Sequence, residues 1–192
     1  MKYPVIPVHG LSDTSARMKH IEAALRNSGC TVLPVSLEPS SGKLGIDDLA
    51  QQLKSFIDTK VEPHQMIDLI GFSMGGLVGR YFLQRLNGIN KVRHFISIST
   101  PHNGTWVAYL LWNKGAKQMR YKSSFITELN SDVLKLESLK VTSIWTPFDL
   151  MILPASSSHL YFGKEIIVKS ILHSQMVSNK QLIKAIVSEL GL

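Results

Sequence analysis

Two spacings of hydrophobic residues alternate along the chain, which predicts alternating strands and helices. Residues 66–71 form a short, nearly continuous apolar run, typical of a buried strand. In residues 46–59, by contrast, Leu49, Leu53 and Ile57 recur at helical spacing and share one face. The predicted strands are residues 3–8, 31–35, 66–71, 92–98, 141–145 and 165–170, and the predicted helices are residues 14–28, 46–59, 74–86 and 175–190.

Alternating strands and helices predict an α/β fold, with a mostly parallel six-stranded sheet flanked by helices on both faces. The length of 192 residues suits a single domain, residues 1–192, and no linker or repeat divides it. Residues 101–130 carry many large apolar side chains in an irregular or helical pattern. We expect them to form a small cap or lid that lines an acyl pocket, or alternatively a packed crossover.

The segment Gly71-Phe72-Ser73-Met74-Gly75 joins a predicted strand to a predicted helix. A serine on such a sharp turn needs small neighbours, and the turn pushes its hydroxyl out over the end of the sheet. The helix that follows directs its N–H groups and positive dipole end to the same place. The context predicts that Ser73 is a nucleophile; the alternative is a Gly-Ser turn that closes an ordinary strand–helix unit.

An activated serine needs a base and a carboxylate that orients the base. These groups should follow strands, because the site of such a sheet lies at the carboxyl ends of the strands. Asp149 follows the strand 141–145, and His173 follows the strand 165–170. We therefore expect Asp149 to be the orienting acid and His173 the base. His159 also follows Asp149 in the sequence and is the alternative base.

The anion that forms during acyl transfer needs two N–H donors. We expect one from Met74, which follows the nucleophile, and one from Leu11 in the loop after the first strand. Gly10 would let this loop approach the substrate closely. The residues expected to contact the substrate are His9, Gly10, Phe72, Trp106 and Leu150.

The charge of the chain is strongly basic and unevenly distributed. The net charge is +7, and no acidic residue lies between Asp68 and Glu128. This predicts a positive face near Ser73 that favours an anionic membrane or lipid interface, or alternatively a solvated surface. No nucleic-acid-binding motif is present, so no such partner is expected. The basic residues of this stretch are Arg80, Arg85, Lys91, Arg93, Lys114, Lys117, Arg120 and Lys122.

Other features of the chain limit its class and chemistry. The single cysteine, Cys30, allows no internal disulfide, and the proline-broken N-terminal residues 1–8 do not resemble a signal peptide. We expect a cytoplasmic protein, with a processed secreted form as the alternative. No cluster of side chains has the spacing of a catalytic zinc site, so no metal is expected.

Three motifs together resemble the bacterial lipase/esterase families of the α/β-hydrolase superfamily, most closely the small, minimal-type lipases. They are Pro7-Val8-His9-Gly10-Leu11, the elbow segment at residues 68–81, and Ser99-Thr100-Pro101-His102-Asn103-Gly104-Thr105. The chain departs from the usual pattern at Phe72, where these families commonly have histidine. The resemblance implies a minimal α/β-hydrolase fold and cofactor-independent hydrolysis of acyl or lipid esters through an acyl-enzyme.

Two other functions are compatible with the same residues. An acyltransferase or thioesterase would use the same triad, because the acceptor is selected by pocket shape and water access. A non-catalytic binding protein on the hydrolase fold is the alternative from another class. The presence of Ser73, Asp149 and His173 at suitable places favours an enzyme.

Overall fold

Five parallel strands form a single sheet in the order of the sequence, β1-β2-β3-β4-β5. The structure is a computed structural model that describes residues 3–192. Met1 and Lys2, which belong to the segment 1–8 that is not expected to be a signal peptide, lie outside the described residues. The strands are β1 (Val5–Val8), β2 (Ile67–Phe72), β3 (Val92–Ile98), β4 (Lys140–Trp145) and β5 (Lys164–Ile167). The α-helices are α1 (Lys19–Asn27), α2 (Ile46–Lys60), α3 (Met74–Arg85), α4 (Lys114–Met119), α5 (Ser124–Ser131) and α6 (Lys180–Glu189).

Helices cover both faces of the sheet and enclose two hydrophobic cores. Side chains of α2 and α3, such as Leu53 and Leu77, pack with Leu69 on one face. Side chains of α1 and α6, such as Leu25 and Ile186, pack on the other face. Strand β2 is buried along its whole length because both of its faces are covered, which explains its nearly continuous apolar sequence.

The sheet has five strands rather than the six expected, because residues 31–35 do not form a regular strand. They make isolated parallel bridges, from Val32 to Val5 and from Val35 to Val8. Pro34 interrupts this segment, and proline has no N–H to donate to a ladder. The segment therefore only flanks the edge of β1.

Two of the predicted helices are shorter in the structure than in the sequence analysis, and each is divided into two parts. The first consists of a 3₁₀ turn, Ser15–Met18, followed by α1. The last consists of a 3₁₀ turn, His173–Ser178, followed by α6. Asn179 separates these parts because its side chain accepts the N–H groups of Gln181 and Leu182, which caps α6.

Residues 101–130 are partly buried and partly exposed. Ala116, Ile126 and Leu129 are buried and attach α4 and α5 to the body of the protein, whereas Leu110 and Trp112 are exposed. The 3₁₀ turn Trp106–Leu110 contributes Val107 and Ala108 to the lining of the cavity that contains Ser73. In the part of the chain that the structure describes, no helix has the length and apolar character needed to cross a bilayer.

Candidate active site

Ser73 occupies the sharp turn between β2 and α3, with a strained backbone. Its φ of 53° and ψ of −122° lie in a region that residues other than glycine rarely adopt. The neighbouring structure fixes this conformation: the Ser73 N–H donates to the carbonyl of Ile98 at 2.8 Å, and the Ser73 carbonyl accepts from Gly76 at 3.0 Å. Such strain costs about 1–3 kcal/mol and is concentrated at functional sites.

Close packing around the turn leaves no room for a side chain at Gly75 and little room at Gly10. A Cβ on Gly75 would collide with the carbonyl oxygens of Val8 and His9, so the end of β1 lies against the start of α3. A Cβ on Gly10 would come within 3.2 Å of the Ser73 Cβ. These contacts place the Gly10–Leu11 loop beside Ser73.

Asp149 is buried and forms a hydrogen-bonded pair with the half-buried His173. His173 Nδ1 lies 2.7 Å from Asp149 Oδ2, and the other oxygen, Oδ1, accepts the N–H groups of Met151 and Ile152 at 2.9 and 3.1 Å. Burial alone would raise the pKa of Asp149, but the hydrogen bond from His173 and these backbone donors outweigh it and lower the pKa. Asp149 is thus a carboxylate, and it favours the His173 tautomer that carries its proton on Nδ1 and leaves Nε2 as a proton acceptor.

Ser73 and His173 line the same cavity, which has a volume of about 510 Å³. The ring of Phe72 packs against the His173 ring, with centroids 5.0 Å apart. Apart from the Asp13–Arg17 ion pair at one side, the wall is mainly apolar. Its apolar lining comes from Leu11, Phe72, Pro101, Val107, Ala108, Leu111, Met119, Leu150, Met151, Ile152, Ile171 and Leu172.

The predicted contact residues separate into two groups. Gly10, Phe72 and Leu150 line the cavity. His9 and Trp106 are absent from its lining, although the sequence places both among the expected substrate contacts. Trp106 stacks instead on the rings of Tyr109 and Tyr121.

His9 is buried behind the Gly10–Leu11 loop and links it to Leu37 by two hydrogen bonds. The N–H of Leu37 donates to His9 Nε2 at 3.0 Å, so Nε2 is unprotonated and Nδ1–H donates to the Gly10 carbonyl at 2.9 Å. Burial lowers the pKa of His9, which keeps this neutral form. Because the Gly10–Leu11 peptide is trans, the Leu11 N–H points away from His9.

The alternative base, His159, lies outside the cavity. Its Nδ1 is 3.6 Å from a carboxylate oxygen of Glu165, and its ring packs against Tyr161. The structure therefore brings His173, and not His159, to the cavity that contains Ser73. Among residues 3–192, no group of three or more His, Cys, Asp or Glu side chains is arranged to hold a metal ion.

Thr146 is a site residue that the sequence reasoning missed. Its hydroxyl donates to the Ser170 carbonyl at 2.7 Å and accepts the Phe148 N–H at 3.3 Å. It therefore ties the loop that carries Asp149 to the segment that leads into His173. Its position directly after β4 is the only signal in the sequence, because its partner Ser170 is 24 residues away.

The expected positive face near Ser73 is smaller than the sequence suggests, because most of its basic residues have partners elsewhere. Arg80 is fully buried and donates to the carbonyls of His102 and Leu129. Arg85 pairs with Asp132, Arg93 with Asp68, and Lys114 with Asp47 and Asp48. Burial lowers the pKa of Arg80 to about 9. This arginine is a structural group beneath the site rather than part of a charged surface.

The parallel sheet, the strained serine elbow and the Asp–His pair after the following strands define an α/β-hydrolase. The family profile of palmitoyl protein thioesterases matches residues 4–133. The chain belongs to the palmitoyl protein thioesterase family. The matched stretch includes Ser73 and ends before Asp149 and His173, so the placement of those two residues rests on the geometry above.

Known proteins resemble the chain in sequence and in fold. Human lysosomal thioesterase PPT2 is 32% identical over 115 residues, which cover 57% of this chain and 38% of that protein. The mouse protein is 31% identical over the same length. The chain thus spans about two fifths of the length of the curated relatives it matches.

Solved structures share the fold at low sequence identity. The mature Bacillus licheniformis lipase BlEst2 superimposes with a TM-score of 0.81 at 15% identity, over 98% of this chain and 92% of that one. Aspergillus fumigatus lipase B superimposes with a TM-score of 0.86 at 18% identity, over 100% of this chain and 53% of that one. At these identities the likeness shows the fold alone.

Proposed function

We propose that the protein hydrolyses acyl thioesters and esters through a covalent acyl-enzyme on Ser73. The observation that carries this proposal is that His173, hydrogen-bonded to the buried Asp149, lines one cavity with a serine on a strained elbow. Each of the three side chains follows a different strand of one sheet. The carboxyl ends of the strands are where functional groups usually lie in an α/β sheet.

In the proposed reaction, Ser73 Oγ attacks the acyl carbonyl carbon while His173 Nε2 takes the hydroxyl proton. Asp149 holds the ring in the required tautomer and stabilises its positive charge. The tetrahedral intermediate collapses, the carbon–sulfur or carbon–oxygen bond breaks, and His173 returns the proton to the leaving thiolate or alkoxide. A water molecule then attacks the acyl-enzyme in the same way and releases the free acid and Ser73.

The N–H groups of Met74 and Leu11 would stabilise the oxyanion of both intermediates. Met74 is the first residue of α3, so its N–H has no partner within the helix. Leu11 lines the cavity, and its N–H points away from His9 because His9 holds the Gly10 carbonyl. His9 thus acts as a positioning residue rather than as the substrate contact expected from the sequence.

The size and the apolar wall of the cavity favour a substrate with a long acyl chain. Its volume of about 510 Å³ lies within the range of about 300–1,000 Å³ that is usual for small-ligand pockets, and its wall is mainly apolar. Family membership favours an acyl thioester, and the chemistry of Ser73 applies equally to oxygen esters. Leu150 and Ile171 line the cavity and are also exposed, so water can reach the acyl-enzyme, which favours hydrolysis over acyl transfer.

Hydrolysis of palmitoyl-CoA and of p-nitrophenyl palmitate by purified variants tests this function. Ser73→Ala and His173→Ala should each lower kcat by roughly a million-fold, because the triad acts as a unit. The matched control is His159→Ala, which removes a partly buried histidine outside the cavity and should leave kcat unchanged. If Ser73→Ala retains wild-type turnover, or if His159→Ala abolishes it while His173→Ala does not, the proposed mechanism is wrong.

A further inference from the structure

Large apolar side chains that remain exposed are concentrated at the mouth of the cavity. Among residues 3–192, fourteen large hydrophobic residues are exposed, and eleven of them fall in residues 106–112, 148–153 and 171–172. Scattered exposed hydrophobic residues are normal on soluble proteins, but a contiguous patch marks an interaction surface. We call these three segments the apolar rim.

The three segments of the apolar rim form one continuous surface. The Trp106 N–H donates to the Leu153 carbonyl at 2.9 Å, and the Thr105 hydroxyl donates to the Met151 carbonyl at 2.9 Å. The segment at residues 171–172 borders the same cavity as Leu111 and Leu150. The apolar rim therefore surrounds the entrance through which a substrate reaches Ser73.

Cations without acidic partners accompany the apolar rim. The guanidinium of Arg120 lies over the rings of Tyr109 and Trp112, at 4.8 and 5.4 Å from their centroids. Lys122 approaches the ring of Tyr121, and Lys169 lies next to the segment at residues 171–172. None of these three cations is paired with a carboxylate among the described residues, whereas the nearby acids Asp13 and Asp149 are paired with Arg17 and His173.

We infer that the apolar rim docks onto the surface of an anionic lipid bilayer, with Leu110 and Trp112 inserted among the lipids. Exposed tryptophan and leucine bordered by unpaired lysine and arginine match the two layers of such a surface, acyl chains below and anionic head groups above. A protein partner or a second copy of the chain would bury these cations only with compensating acids. Docking would place the cavity entrance directly on a source of acyl chains, although the docking itself does not depend on the proposed reaction.

Co-sedimentation with vesicles of diether lipids tests the docking. Diether phosphatidylcholine and its equal mixture with diether phosphatidylglycerol contain no ester, so hydrolysis cannot affect the result. Binding should be at least tenfold stronger to the anionic vesicles, since each unpaired cation contributes about fivefold near such a surface, and high salt should weaken it. Leu110→Asp should weaken binding by at least about tenfold, because it places a charge in the inserted apolar surface.

The matched control is Leu134→Asp. Leu134 is 65% exposed and Leu110 77%, but Leu134 lies in the 3₁₀ turn Val133–Ser138, before the amino end of β4. This variant should bind vesicles like the wild type. Leu110 does not line the cavity, so Leu110→Asp should still hydrolyse a short soluble ester at the wild-type rate.

Three results would overturn the inference. The first is equal or no binding to neutral and anionic vesicles. The second is an equal loss of binding in Leu110→Asp and Leu134→Asp. The third is a wild-type dimer in sedimentation velocity that Leu110→Asp converts to a monomer, which would make the apolar rim a contact between copies of the chain.

Discussion

The two ends of the sheet differ in how they use charge. At the amino ends of the strands, ionic groups pair with one another: Asp68 of β2 with Arg93 of β3, and Glu189 of α6 with Lys140 and Lys164. At the carboxyl ends, the buried Asp149 pairs with His173, which lines a mainly apolar cavity bordered by the exposed apolar rim. We interpret the amino ends as contributing stability and the carboxyl ends as contributing function.

This difference predicts that substitutions at the two ends have separable effects. A change at the amino ends should lower the free energy of unfolding and leave the activity of the folded protein unchanged. A change at the carboxyl ends should lower activity and have little effect on unfolding. The variants that follow test this separation, from the largest expected effect to the smallest.

Asp149→Asn should lower kcat by about 10⁴-fold, because an amide no longer enforces the His173 tautomer that leaves Nε2 free as a base. The side-chain volume is nearly unchanged, and the amide oxygen of this variant can still accept from the Met151 and Ile152 N–H groups that now bond Asp149. Single-turnover hydrolysis of p-nitrophenyl butyrate measures the loss, and urea denaturation serves as the stability control. A variant with normal kcat would remove Asp149 from the mechanism.

His94, at the amino end of β3, should make the protein less stable in acid. Burial, followed by the nearby charge of Lys140, lowers the pKa of His94 to about 4. Between pH 6.5 and 4 the unfolded chain therefore takes up a proton that the folded protein does not, so stability falls as pH falls. The full shift corresponds to about 3 kcal/mol.

The test is the pH dependence of the free energy of unfolding in the wild type and in His94→Gln. The wild type should lose about 3 kcal/mol more than the variant between pH 6.5 and 4. Parallel pH profiles would show that His94 titrates normally in the folded protein.

Asp68→Asn should reduce the free energy of unfolding by about 1.5 kcal/mol, because Arg93 loses a charged acceptor for two hydrogen bonds. These bonds are 2.9 Å from Nε and 2.6 Å from Nη2, and the Asp68 carboxylate is buried. The loss is reduced because burial raises the pKa of Asp68, so the neutral variant no longer bears the cost of a buried charge. The matched control is Asp58→Asn, which breaks an exposed pair with Lys54 and should cost at most about 0.5 kcal/mol. A decrease in kcat at full folding would contradict the separation of the two ends.

Thr146→Val should lower kcat about tenfold by loosening the link between the acid and base loops, at a cost of about 1 kcal/mol in stability. Thr146→Ser keeps the hydroxyl and should restore kcat. Steady-state kinetics of the two variants distinguish this positioning role from simple packing. If serine fails to rescue turnover while valine is active, the hydroxyl is not the important feature.

The sequence was sufficient for features that depend on short-range patterns. Glycine spacing and the strand before it predicted the sharp turn at Ser73, and position after a strand singled out Asp149 and His173, which form a hydrogen bond. Their catalytic roles stay predictions. The prediction of a regular edge strand at residues 31–35 was wrong, because Pro34 interrupts a segment that is otherwise rich in β-branched residues. The paired segments that hold the site in place lie far apart in sequence, as with Thr146 and Ser170, and no local pattern encodes them.

Charge distribution was the least reliable guide, because a sequence does not show which charges are paired. Arg80 counts as positive in the sequence, yet in the fold it is buried and bonded to backbone carbonyls. Likewise, the sequence analysis includes His9 among the expected substrate contacts. Its contact with Leu37, 28 residues away, instead places its ring behind the loop.

Labelling with a fluorophosphonate, followed by mass spectrometry of the peptides, tests the central claim most directly. The proposed mechanism predicts one adduct per chain, on Ser73, with loss of all activity in proportion to labelling. His173→Ala should label far more slowly, and Ser73→Ala should not label at all. An active protein that gives no adduct, or an inactivating adduct on any other residue, would contradict the assignment of Ser73 as the nucleophile.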